Sequence, residues 1–123
     1  MHRQVAEEDE GFGAMNNVSW MRAVVRIIRS DLPDLTNRQL GIMLSVALTA
    51  GPHTVRGLAE RLGVSKPVVT RALNKLAALG YLTRHRDRED GRNVLVEMTQ
   101  AGRVFLERFN QLIGGEPAVA RAV

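Results

Sequence analysis

Leu58-Ala59-Glu60-Arg61-Leu62-Gly63-Val64-Ser65-Lys66-Pro67-Val68-Val69-Thr70-Arg71-Ala72-Leu73 is the stretch that decides how this chain is read. It divides at Gly63 into two amphipathic segments. Leu58, Leu62, Val64 and Val69 supply a shared apolar seam, and Ala59 is the small residue needed where two helices cross closely. Gly63 suits the left-handed backbone of a tight turn. Ser65 is a helix cap, and Pro67 falls in the first turn, where N–H groups lack intrahelical partners anyway. The spacing predicts a helix from about Val55 to Leu62 and a second from the Ser65 cap to about Leu79, closed by Gly80.

In the second of these helices Val69, Ala72, Leu73, Leu76 and Leu79 are spaced for burial. The opposite face shows Ser65, Lys66, Pro67, Thr70, Arg71, Asn74 and Lys75. Cations and hydroxyls on the first turns of such a helix suit the major groove of DNA. There Arg or Lys can bond guanine edges, and a Thr methyl can touch thymine. Ser65, Lys66, Pro67, Thr70 and Arg71 are the candidate base contacts. Asn74 and Lys75, with Thr54, Arg56, Arg84 and Arg86 around them, are candidate contacts to the phosphate backbone, which position a protein without reading sequence. Singly, each reads equally well as an ordinary exposed residue. Their grouping behind a helix-turn-helix grammar carries the DNA reading.

Downstream, Tyr81 to Arg86 and Asn93 to Met98 are strand candidates around a polar turn, Asp87-Arg88-Glu89-Asp90-Gly91-Arg92. Val94, Val96 and Met98 share one face of the second strand, and Leu95 and Glu97 the other. A hairpin of this kind forms a wing over residues 86–92. Arg88 and Arg92 are its candidate minor-groove contacts, since narrow A·T stretches attract arginine. Asp87 and Asp90 would repel phosphate, so their expected work is structural: ion pairs to Arg88 or Arg92 that fix the turn. The fold class is mainly α with a small β-hairpin wing (α+β), a winged helix-turn-helix.

Working outward, Thr36 with Gln39 forms a capping box for a helix that is apolar nearly all round, predicted to be central and buried and stopped by Gly51-Pro52. His53-Thr54-Val55 is a very short strand candidate, with Thr54 capping the helix after it. Upstream, Trp20, Met21, Val24, Val25, Ile27 and Ile28 interleave with Arg22, Arg26 and Arg29, which predicts an amphipathic helix from Val18 to about Arg29 with a broad buried face. Thr99 caps a last helix carrying Val104, Phe105, Phe109 and Leu112 on one side. The expected organisation is a flexible acidic arm over residues 1–17, one domain over 18–113 and a flexible tail over 114–123.

Charge is distributed to match. The 123 residues carry a net charge of +4. Residues 55–92 hold nine Lys or Arg against four acids, or +5, which leaves −1 for the rest. Positive charge collects where phosphate would be met. With no cysteine, disulfides, zinc fingers and thiol switches are excluded, and a reducing cytoplasm is the natural setting. His2, His53 and His85 lack ligand spacing, so no metal and no cofactor is expected. No run approaches the ~18 apolar residues of a membrane-spanning helix, and the acidic start lacks the features of a secretory signal.

Leu35-Thr36 with Gln39, Leu58-Ala59 through Arg71, Leu79-Gly80-Tyr81-Leu82, Asp87 through Arg92 and Met98-Thr99 together resemble the MarR family of bacterial transcription regulators. The resemblance covers roughly residues 18–113. The wing stretch is similar to that family's Asp-Arg-x-Asp-x-Arg motif, a more specific signal than the two helices alone. The resemblance implies a winged-helix fold, binding to double-stranded DNA, a cytoplasmic nucleoid-associated location, and in many members a small-molecule effector of aromatic or phenolic kind. It also implies a homodimer, here through residues 18–29 and 99–113, for which Trp20, Met21, Val24 and Phe105 are candidate contacts beside their alternative as internal core. Only about 15 residues separate Thr99 from Gly114-Gly115, so a C-terminally shortened member is expected.

Two other classes compete. A winged helix can serve as a protein–protein interaction module without reading DNA, but acidic or apolar residues would then be expected where Lys66, Arg71 and Lys75 stand. An enzyme is the weakest reading: no Ser/His/Asp grouping, phosphate-cradling glycine loop or paired-histidine spacing is present.

Overall fold

Side-chain caps set where the helices begin. In the computed structural model, which describes residues 16–114, Asn16 Oδ1 accepts the Ser19 N–H at 2.9 Å and starts α1 (Asn17–Arg29). The expected capping box starts α2 (Asn37–Leu48): Gln39 N–H donates to Thr36 Oγ1 at 3.1 Å and Thr36 N–H to Gln39 Oε1 at 2.9 Å. Thr54 ends β1 (His53–Thr54) and accepts the Gly57 N–H at 2.9 Å, opening α3 (Val55–Leu62). Ser65 does the same for α4 (Lys66–Ala78) through the Val68 N–H at 3.4 Å. The strands β2 (Leu82–Arg86) and β3 (Val94–Met98) follow, and Thr99 caps α5 (Gln100–Gly114) through the Gly102 N–H at 3.0 Å. The greater part of the expected arm and tail lies outside the described residues.

Two glycines make the turns. Gly63 has φ 69° and lets the Val64 N–H return to Ala59 O at 3.1 Å, a left-handed helix ending. Gly80 has φ 80° and places the Tyr81 N–H on Leu76 O at 2.9 Å. In either position a side chain would strain the backbone.

The described residues divide into two compact units. The larger runs from Pro33 to Arg108. Its sheet is antiparallel in the order β1-β3-β2, with His53 opposite Val96 and Leu82 opposite Met98. Ile42 and Met43 of α2, Leu58 of α3, Val69, Leu73 and Leu76 of α4, Leu82 and Val96 of the sheet and Phe105 of α5 form its buried core. Each such apolar side chain contributes about 1.5–3 kcal/mol by leaving water. The buried stripe of α4 is the expected one, with Leu79 half-buried at its end.

Other expectations change. Helix α2 is two-faced rather than buried all round: Leu44 lies open on it, and Leu48 is 75% exposed. Packing against α3, α4 and β3 covers its Ile42–Met43 side. Phe105, a candidate contact between copies, is a core residue whose ring centroid lies 4.8 Å from that of Tyr81.

The smaller unit comprises the segments up to Leu32 and from Phe109. Arg26 Nε donates to Leu112 O at 2.7 Å, placing a cation on the last carbonyls of α5, where the helix dipole favours it. The broad face of α1 is not buried as periodicity predicts. Ala23 is covered, while Val18, Trp20, Met21, Val24, Val25 and Ile28 are exposed. A single helix and the end of another offer too little apolar surface to cover a stripe that wide.

Candidate nucleic-acid interface

The N-terminal half of α4 presents its side chains in three directions. At 100° per residue, the buried Val69, Ala72, Leu73 and Leu76 fix the inward direction. Pro67 and Asn74 then point almost directly outward, with Arg71 close beside them. Lys66 and Thr70 turn to one flank, Val68 and Lys75 to the other. Lys66, Pro67, Thr70, Arg71, Asn74 and Lys75 are all exposed. Of the candidate base contacts on the helix, Pro67 and Arg71 thus share the outward ridge, Thr70 stands at its edge, and Lys66 lies further round, on the flank where phosphates would be met. Asn74, expected at the backbone, stands on the outward ridge with Pro67 and Arg71.

On the Lys66 flank the helix meets the wing. A notch of about 200 Å³ lies there, with Arg56, Lys66, Thr70 and Arg92 on its walls and Val55 and Val94 beneath. It joins residues from α3, α4 and the hairpin, the last of them more than twenty positions further along the chain than Thr70. Asn93, which sequence reasoning passed over, also lines it. Its backbone closes the wing, with Asp87 N–H donating to Asn93 O at 3.0 Å and Asn93 N–H to Asp90 O at 2.9 Å.

The wing is held from within. Asp90 grips Arg92 in a two-point pair, Nε to Oδ1 at 3.0 Å and Nη2 to Oδ2 at 3.2 Å, and also accepts the Arg92 N–H at 3.1 Å. These bonds, the side-chain ones first, hold the Asp90 carboxyl below its ordinary value, and the Arg56 charge adds a smaller pull in the same direction. Asp87 accepts the Glu89 N–H at 2.9 Å, so it fixes the turn through the backbone and does not reach Arg88. Arg86 Nη1 donates to Gly91 O at 2.6 Å. Of the wing's cations, then, Arg86 and Arg92 are engaged inside the hairpin, whereas Arg88 makes no bond there. Arg84 is exposed on β2. Thr54 and Ser65 spend their oxygens as caps and sit at the entrances of α3 and α4.

Comparison with known proteins bears on the fold that carries these residues. Residues 34–93 match the sequence model of the MarR family, a stretch that holds α2, both helices of the turn and the wing. The chain belongs to the MarR family.

Among MarR-family relatives, the uncharacterized HTH-type transcriptional regulator YpoP of Bacillus subtilis (strain 168) is 28% identical over 95 residues, which span 74% of this chain and 67% of YpoP. The multiple antibiotic resistance protein MarR of Escherichia coli (strain K12) is 32% identical over 81 residues, spanning 66% of this chain and 56% of MarR. A solved structure of a mutant E. coli MarR complexed with operator DNA is 28% identical and superposes with a TM-score of 0.60, covering 72% of this chain and 69% of that one. The chain thus spans between about half and two thirds of the length of these regulators.

Away from the reading head, a larger hollow of about 450 Å³ lies in the same unit, between Val46, Pro52, His53, Leu95, Met98 and Arg103. Among the described residues no group of three or more His, Asp or Glu side chains is arranged to hold a metal ion, and no helix is long and apolar enough to cross a membrane.

Proposed function

We propose that this MarR-family chain regulates transcription by binding double-stranded DNA in a sequence-specific way, with α4 in the major groove and the wing at the minor groove or backbone. The observation that carries this reading is the exposed side of α4, where Pro67, Thr70 and Arg71 stand between Lys66 on one flank and Lys75 on the other, over a fully apolar inner face. Pro67, Thr70 and Arg71 are the base-reading group, with Ser65 at the helix entrance and Asn74 beside them. Arg56, Lys66, Lys75 and Arg84 meet phosphates. Arg88 is the wing's groove contact, and Arg86 and Arg92 hold the hairpin that presents it. Lys66, Arg71 and Lys75 leave little room for the reading as a protein-interaction module.

The exposed apolar face of α1 supports pairing of two copies through residues 18–29 with 99–113. A small-molecule effector belongs to the same reading, and the hollow beside Arg103 has a volume within the range of ligand sites, about 300–1,000 Å³. DNA binding would also place the protein at the nucleoid of the cytoplasm.

The test is a binding titration on a short duplex at several salt concentrations. Affinity is expected to fall with a log–log slope of about 0.9 for each phosphate neutralised. Arg71→Ala binding as tightly as the wild type at every salt concentration would overturn the assignment of the reading head.

A further inference from the structure

Helix α4 has a second cationic flank, opposite the wing. A cleft of about 150 Å³ opens there between the first turn of α2 and the side of α4, lined by Arg38 and Gln39 from the one and Val68 and Arg71 from the other. Arg38 is exposed. The side-chain oxygens of the α2 cap around it are already engaged, because Thr36 Oγ1 and Gln39 Oε1 accept each other's backbone N–H. The guanidinium groups of Arg38 and Arg71 are the charges that the cleft offers a ligand, and its charge marks that ligand as an anion. Lys75, one turn after Arg71, lies on the same flank.

The two flanks of α4 thus carry separate cation sets: Arg56 and Lys66 towards the wing, Arg38 with Arg71 and Lys75 away from it. A major groove about 12 Å wide that admits a helix is bordered on each side by a different strand's phosphates. We infer that Arg38 is a DNA-backbone contact, and that α2 and α3 clamp phosphates of opposite strands on the two sides of α4. This rests on the proposed placement of α4 in the major groove. It adds a residue outside the helix-turn-helix and gives Arg71 a double position, at the edge of the outward ridge and in the cleft.

The experiment measures the salt dependence of binding to one mixed-sequence duplex for the wild type, Arg38→Ala, Arg56→Ala and the double variant. Each single substitution is expected to lower the slope by about 0.9 and the double variant by about 1.8, because the two cations neutralise different phosphates. Arg38→Lys should restore most of the slope, since a point charge suffices. An unchanged slope for Arg38→Ala, while Arg56→Ala lowers it, would overturn the inference and leave DNA binding standing. A double variant no different from either single would show that both residues serve one phosphate, which overturns the two-strand clamp. Failure of the wild type to bind duplex at all would sink the proposed function itself. Both arginines are exposed, so circular dichroism should show every variant folded.

Discussion

The hydroxyl of Thr99 donates to the carbonyl of Gly80 at 2.6 Å, while its oxygen accepts the Gly102 N–H at 3.0 Å. One side chain therefore caps α5 and satisfies the backbone just beyond the end of α4. A second bond, Thr99 N–H to Tyr81 O at 3.0 Å, runs alongside. Thr99→Val keeps the shape and removes both hydroxyl bonds. It should cost about 1–3 kcal/mol, a cap plus one hydrogen bond, whereas Thr99→Ser should lose far less. Urea unfolding of the three proteins decides; equal midpoints would refute the assignment.

Tyr81 is the chain's one tyrosine, so its ionisation can be followed directly by ultraviolet difference absorbance. Burial raises its pKa above 10.0, against the opposing charge of Arg108. The folded state holds this proton more tightly than the unfolded state. The associated stability is therefore complete below about pH 10 and is lost as pH rises through the raised native value. The midpoint is expected above that of the urea-unfolded chain, and higher still in Arg108→Gln. Coincident folded and unfolded midpoints would contradict the packing of Tyr81 on Phe105.

Asp90 behaves in the opposite sense. Its carboxyl pKa is lowered from 3.8 by Arg92, so the ordering it gives the wing is present above that ordinary value and fades as pH falls through the lower native one. Asp90→Asn should loosen the wing at neutral pH, where the wild-type carboxylate is charged, seen as faster amide hydrogen exchange at Arg92 and Asn93, and the difference from the wild type should close in acid. DNA affinity should fall severalfold, since Arg88 would no longer be presented on a fixed turn. Exchange as slow as in the wild type would place the wing's rigidity elsewhere.

Trp20, the single tryptophan, is 50% exposed amid the apolar face of α1. Pairing of two copies on this face predicts that its emission shifts to the blue as protein concentration rises. Trp20→Glu should weaken association by at least about tenfold, equal to 1.4 kcal/mol. Sedimentation velocity reads both; identical monomer masses across the concentration range would remove the pairing.

Much of the architecture was legible because its signals are local. The Thr36–Gln39 box, the turns at Gly63 and Gly80 and the stripe from Val69 to Leu76 each act within a few residues of their own position. What could not be read depends on distant partners. Periodicity gives α1 an apolar face but does not say what covers it, so Trp20 and Ile28 emerge exposed. Arg86 looks as free as Arg88 in sequence, and only the folded turn shows that Gly91 holds it; sequence predicts an ion pair to Arg88 or Arg92, and the fold decides for Asp90 with Arg92. Arg38 escaped notice because the packing of α2 on α4, not nearness in the chain, brings it beside Arg71.

Gly102 is buried, and a Cβ there would collide with Tyr81 O and Met98 Sδ. The first turn of α5 is thus pressed flat against the segment that ends α4, with Thr99 bonded across the same seam. Backbone packed on backbone at Gly102, with Thr99 bonded to Gly80 and Tyr81 beside it, resists roll of α5 about its own axis. Movement that α5 passes to α4 therefore arrives mainly as tilt, and tilt at the Gly80 end swings the far end, where Lys66 and Pro67 sit, through the widest arc.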